Sequence, residues 1–193
     1  YDYATTFGST FAFPAKAVET LKSRSINEGA VITDRQSFEE YAWPDPDSFS
    51  YELLDVAARE LRDGMKLIVC SAGGVLENVI RLMGYDNLCI LLMLEPDLTR
   101  EIFDAVGSRL LRYYENSVGH PAVGAIIGND DWGFKSQTML STDDMRKYVF
   151  PWHKKIAATA HAAGKPAILH SCGNLAKVMD DVIEDMQYDG KHS

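Results

Sequence analysis

Cysteine is scarce in this chain: there are three in 193 residues, an odd number and widely spaced. That excludes a disulfide-framed secreted scaffold and points to a reducing compartment, so the expected location is the cytoplasm. Long apolar runs are also missing. The longest, Leu88 to Leu94, falls far short of the roughly 18 residues of a membrane helix. Tyr1-Asp2-Tyr3 has neither the basic start nor the apolar middle of a signal peptide. Positive charge is in deficit, with 19 Lys and Arg against 28 Asp and Glu and a net charge of −9. No basic stripe suits nucleic acid and no polybasic segment suits a lipid surface, so neither is expected as a partner. There is no internal repeat, no G-x-G-x-x-G fingerprint, no P-loop lysine and no legible Ser-His-Asp grouping. What remains is ordinary for a globular chain, 46% hydrophobic and 24% charged, long enough for one domain with a sizeable core.

Residues 1 to 50 read as loops and short elements. Trp43-Pro-Asp-Pro-Asp-Ser48 cannot lie inside a helix, because proline fixes φ and pushes the preceding residue to extended geometry. A helix fits Ser50 to Asp63, with Gly64 as its stop. Lys66 to Cys70 reads as a buried strand, followed by helices over Val75 to Met83, Tyr85 to Leu94, and Pro96 to Gly119. A second strand covers Ala122 to Gly128. Ser141-Thr-Asp-Asp144 starts another helix with a hydroxyl cap and carboxylates in its first turn, and Pro151 should kink it before Gly164 ends it. The third strand is Lys165 to His170, and Asn174 caps a last helix through Glu184. Strand, helix, strand, helix, strand is the rhythm of a parallel sheet with crossover helices. Strands apolar throughout suggest burial on both faces. About three units are visible, whereas a closed eight-unit barrel takes about 250 residues. The expected fold class is therefore α/β, an arc of a (β/α)8 barrel.

Three constellations carry candidate chemistry. In Lys165-Pro-Ala-Ile-Leu-His-Ser-Cys-Gly-Asn174, His170 and Cys172 are two residues apart, so they project to one side of a strand at the end where α/β sites form. Imidazole nitrogen and thiolate sulfur both ligate zinc, and Gly173 permits a sharp turn beside them. A catalytic zinc takes about three protein ligands. Cys70 also ends a strand and is a geometric candidate; Cys89 reads as core packing, and His153 and His161 as the outer side of a helix. The second constellation is Asn129-Asp-Asp-Trp-Gly133. Adjacent carboxylates Asp130 and Asp131 at a strand end could bind a cation, hold a histidine or act as acid and base, unless one caps a turn and the other faces water. Trp132 belongs to the same mouth. The third is Ser71-Ala-Gly-Gly74, which reads first as a tight turn; its small residues, Gly73 and Gly74 among them, also expose backbone N–H groups at a helix start that could hold an anion, and Glu77 close by points either into the mouth or to solvent.

The run Asp130 to Gly133 ("DDWG") and the block Ser141 to Asn174 ("STDDMRKYVFPWHKKIAATAHAAGKPAILHSCGN") resemble the uroporphyrinogen decarboxylase superfamily. "PDPD" at Pro44 to Asp47, "GGVLENVIRLMGYDNLCILLMLEPDL" from Gly73 and the closing "DGKHS" extend the resemblance over most of residues 30 to 193. It implies an eight-fold β/α barrel with its pocket at the C-terminal mouth. It also implies that residues 1–193 form a single incomplete domain lacking the family's N-terminal and C-terminal parts. The superfamily holds two chemistries. Its decarboxylases are metal-free and strip carboxyls from a tetrapyrrole with an Asp and N-terminal Arg groups. Its other branch resembles cobalamin-linked methyltransferases, which hold zinc with His-x-Cys on a barrel strand and a later Cys.

His170-Ser-Cys172 matches that second pattern. The resemblance thus implies zinc-assisted methyl transfer between a corrinoid carrier, such as methylcobalamin or a corrinoid protein, and a small thiol. His170 and Cys172 would be metal ligands, a further Cys would lie beyond Ser193, Asp130 and Asp131 would be catalytic, and Gly73, Gly74, Glu77 and Trp132 would line the substrate or cofactor site. The enzyme alternative is uroporphyrinogen decarboxylation, for which Lys135 is the nearest basic residue. The other alternative is a non-catalytic corrinoid- or partner-binding module. An arc of barrel has open sheet edges, so a homodimer is expected.

Overall fold

The structure, a computed structural model, describes residues 11–15 and 26–193 and the backbone of residues 3–5. Much of the expectation for residues 1 to 50 therefore lies outside the described residues. Among the described residues, five parallel strands form one sheet in chain order: β1 (Tyr3–Thr5), β2 (Lys66–Cys70), β3 (Val123–Asn129), β4 (Ala167–His170) and β5 (Gly190–His192). A parallel sheet whose strand order follows the chain is an arc of a β/α barrel.

Helices fill the crossovers. α1 (Arg35–Glu40) and α2 (Glu52–Glu60) precede β2; α3 (Val75–Met83), α4 (Tyr85–Leu94) and the 23-residue α5 (Pro96–Val118) separate β2 from β3. The α3 and α4 bounds fall where the sequence put them, because Gly84, at φ +76, ends one helix and precedes the other. Between β3 and β4 come a short α6 (Thr142–Asp144), a π-helical turn (Met145–Val149) and α7 (Phe150–Ala162). Ser141 caps α6 as expected, its side chain accepting from the Asp144 N–H. The expected kink at Pro151 takes a specific form. Proline cannot donate the next helical hydrogen bond, and the turn before it widens, Phe150 N–H reaching back to Met145 C=O. After β4 the expected single helix from Asn174 is split into a 3-10 turn (Ala176–Val178) and a π turn (Asp181–Asp185).

The core lies between the sheet and the helices, with Leu67, Val69, Ile126, Ala167 and Leu169 against Val79, Ile102, Val106, Leu110 and Ile156. Burial on both sheet faces, expected from the apolar strands, is not found. β2 and β4 alternate between buried and half-exposed residues. Cys70, Ile127 and Ile168 are neighbours in register and are all half-exposed, so the concave side of the arc is the open one.

Candidate functional site

The ends of β3 and β4 bring the site together. Pairing places Asn129 beside His170, and His170 beside His192 of β5. The loops that follow are stitched to one another: Asp130 N–H donates to His170 C=O at 2.9 Å, and Trp132 N–H to Ser171 Oγ at 3.1 Å. Gly173, at φ +84, completes the approach, for a Cβ there would stand 2.1 Å from Gly133 O.

Asp130 and Asp131, adjacent in sequence, go to opposite environments. Asp130 is fully buried. Its carboxylate accepts from Leu76 and Glu77 N–H, both at 2.9 Å, and lies 2.9 Å from His153 Nε2. It thus fills the N-terminus of α3, satisfying N–H groups that have no partner within the helix. Of the two readings of Gly73 and Gly74, an external anion is therefore not needed: the carboxylate at this helix start is the chain's own Asp130. Gly74 is glycine because its missing Cβ would lie 2.1 Å from Asp130 Cβ. Asp130 does not line the mouth either. Nor does Trp132, whose fully buried ring packs on Phe150 and His153, with centroids 5.1 Å and 4.8 Å away. His153, expected on the outer side of its helix, is buried, with Nδ1 2.8 Å from the Tyr188 hydroxyl. His161 is exposed, as expected, and pairs with Asp189 at 2.9 Å.

Asp131 turns the other way and joins the two metal candidates. One ligand atom each from Asp131, His170 and Cys172 lies within 4.8 Å of the others. Asp131 Oδ1 accepts the Cys172 backbone N–H at 2.7 Å and stands 3.9 Å from His170 Nε2, which is itself 3.9 Å from Cys172 Sγ. Tetrahedral zinc at 2.0–2.1 Å from nitrogen and 2.3 Å from sulfur would hold those two atoms about 3.6 Å apart. The His170 and Cys172 donors therefore fit zinc with a contraction of a few tenths of an ångström, and the Asp131 oxygen lies within 4.8 Å of both. Asp131 also raises the Cys172 thiol pKa, first as its hydrogen-bond acceptor and then by its charge. Cys70 faces the open side of the sheet but is outside the cluster, and Cys89 is half-buried on α4.

Beside the cluster is a cavity of about 340 Å³ lined by Asp131, Glu77, Arg81, Glu28, Ile80 and Met139. Glu77 is one of its lining residues. Its carboxyl is pushed up to about 7, mainly by burial and then by the Asp130 charge, although the Gly74 N–H partly offsets this. Two residues that the sequence did not mark complete the surroundings. Tyr188 closes the buried Asp130–His153 chain, and His192 Nδ1 lies 2.8 Å from His170 Nδ1. Nothing but the final His of "DGKHS" hinted at the latter, since its relation to His170 exists only through strand pairing.

A barrel arc with a cluster of potential metal donors and a cavity at the carboxyl ends of its strands is the arrangement of a β/α-barrel enzyme. The sequence profile of the uroporphyrinogen decarboxylase (URO-D) family matches residues 5–192, and the chain belongs to that family. Among solved structures it is similar in fold to a methyltransferase from Methanosarcina mazei, with a TM-score of 0.61 and 14% sequence identity over 87% of this chain. The chain spans 46% of that protein's length. No curated protein matches it. Among the described residues no helix is long and apolar enough to cross a membrane.

Proposed function

We propose that this chain is the zinc-binding part of a methyltransferase that moves a methyl group between a corrinoid carrier and a small thiol. The observation that carries the reading is the convergence of Asp131, His170 and Cys172 at the mouth, with a cavity beside them. Zinc held there would lower the pKa of a substrate thiol and present it as a thiolate.

The chain's own residues have separable tasks. His170 Nε2 and Cys172 Sγ supply the soft donors, and Asp131 supplies an oxygen that the Cys172 N–H fixes in place. Asp130 acts from the interior, fixing the start of α3 and with it Glu77. Glu77 faces the cavity with a carboxyl near neutrality, suited to accept the proton that leaves a thiol. A tetrapyrrole with several carboxylates suits this cavity poorly. Among the described residues, Glu28, Glu77 and Asp131 line it and Arg81 is the one lining cation; such a substrate would need several.

Zinc analysis of the purified protein tests the reading. We expect one zinc per chain, retained on dialysis at neutral pH, released on acidification as ligands protonate, and lost in His170→Ala and Cys172→Ala. Consumption of methylcobalamin with a small thiol should be abolished in the same variants. A protein without zinc that decarboxylates uroporphyrinogen would overturn the proposal in favour of the rival chemistry.

A further inference from the structure

We propose that the cavity beside the donor cluster selects a zwitterion, an α-amino acid whose side chain carries the thiol, with Arg81 taking its carboxylate and Glu28 its ammonium group. That the ligand bears a thiol rests on the methyltransferase reading above; the recognition of the two charges does not. Opposite charges line this cavity without pairing. Glu77 and Arg81 stand four residues apart on α3, a spacing at which a carboxylate and a cation ordinarily meet on a helix surface. Here each is held away from the other. The Glu77 carboxylate turns back to accept the Gly74 N–H at 3.1 Å, and Arg81 donates from Nη2 to Phe13 C=O, also at 3.1 Å. Among the described residues Phe13 is the one partner of the Arg81 side chain: Nε is buried without a hydrogen bond, and no carboxylate pairs with the guanidinium. A half-buried guanidinium with no counter-ion is well matched to a carboxylate entering the same cavity.

The ammonium site follows from which carboxylates are already engaged. Glu77 accepts from Gly74, and Asp131 accepts from Cys172 at 2.7 Å. Glu28 lines the same cavity and has no hydrogen bond or ion pair. Its backbone is nevertheless pinned. Val31 and Ile32 N–H both donate to Leu82 C=O, at 2.8 and 2.9 Å, Tyr85 N–H donates to Ile26 C=O at 3.3 Å, and Asp86 N–H donates to the Asn27 side chain at 2.9 Å. The turn carrying Glu28 is thus fixed where α3 ends and α4 begins. Ile26, Ile80 and Met139 supply apolar wall, and Asp131 joins the cavity to His170 and Cys172. A volume of about 340 Å³ lies at the small end for ligand pockets. One unpaired cation, one unpaired carboxylate, an apolar wall and metal donors to one side are the complement of a small amino acid with a sulfur-ended side chain.

Matched thiols and one sulfur-free ligand test this. With methylcobalamin and the zinc-loaded protein, L-cysteine and L-homocysteine should show kcat/KM about tenfold or more above 3-mercaptopropionate, which lacks the ammonium, and cysteamine, which lacks the carboxylate. Arg81→Gln should remove the advantage over cysteamine, and Glu28→Gln the advantage over 3-mercaptopropionate. Equal values for all these thiols would overturn the inference. L-norvaline carries both charges and no thiol, so its binding to the metal-free protein, by equilibrium dialysis, does not depend on zinc. That binding should be saturable and about tenfold weaker in each variant. Glu28 is exposed and unbonded, so Glu28→Gln keeps the fold even where loss of the Phe13 contact destabilises Arg81→Gln. No saturable binding of L-norvaline, or binding that Glu28→Gln leaves unchanged, overturns the inference whatever the zinc result. Binding weakened by both variants in a protein that takes up no zinc upholds the zwitterion site while the methyltransferase reading fails.

Discussion

Asp130 and Asp131 show how adjacent like residues acquire unlike tasks. At a strand end, successive side chains point to opposite sides. One carboxylate therefore enters the core, where it meets two helix N–H groups and a histidine, while the other meets the cavity. Removing Asp130 would strand buried donors on α3 together with buried His153. Asp130→Ala should therefore lower unfolding stability by about 3–5 kcal/mol in urea titration. Asp131→Ala, on the half-exposed side, should change stability by less than about 1 kcal/mol while weakening metal retention. Gly74→Ala should act like a milder Asp130 variant, costing about 1–3 kcal/mol, because its Cβ would collide with that carboxylate. The pair was visible in the sequence, but its division of labour was not: "DD" after an apolar run does not say which residue continues the inward phase of the strand.

At the scale of elements, β2, β3 and β4 were readable because each is an apolar run closed by turn residues. β5 was legible only as a place where a strand or a loop could begin, since Gly-Lys-His carries no apolar signature and is a strand because β4 pairs with it. The burial of His153 was hidden for a different reason. The π turn over Met145–Val149 inserts an extra residue per turn and rotates everything after it. A helical wheel phased on Met145 and Tyr148 therefore misplaces the inward face of α7, which is set by Phe150, His153, Ile156 and Ala160. The attachment of β5 should have a pH signature. Asp189 has its pKa lowered first by the Ala167 N–H and then by the His161 side chain. A depressed carboxyl stabilises the fold above its unfolded pKa of about 3.9 and loses that contribution as pH falls through the lower folded value. Asp189→Asn should thus be less stable than wild type at pH 6, with the gap closing as acid is added below about pH 4. Denaturant titration at several pH values measures it, and a gap that widens in acid would contradict the assignment.

At the largest scale, among the described residues, the sheet has β1 and β5 at its edges and a half-exposed concave face. Unpaired strand edges are templates for association, opposed by the self-repulsion of a chain with net charge −9. Sedimentation velocity should show self-association that strengthens as added salt screens that repulsion; a strict monomer at high concentration in both low and high salt would contradict this. The barrel arc itself was legible from the rhythm of the elements. The openness of its concave face was not, because uniformly apolar strands look alike whether one face or both are covered. The donor cluster and the cavity both stand at the carboxyl ends of the strands, the end where β/α barrels build their sites.

The most direct test of the central claim is X-ray absorption at the zinc edge of the zinc-loaded protein, with Cys172→Ala for comparison. One sulfur at about 2.3 Å together with nitrogen or oxygen at about 2.0–2.1 Å, the sulfur disappearing in the variant, is the predicted result. A shell of light atoms unchanged by the substitution, or a protein that takes up no zinc, would contradict it.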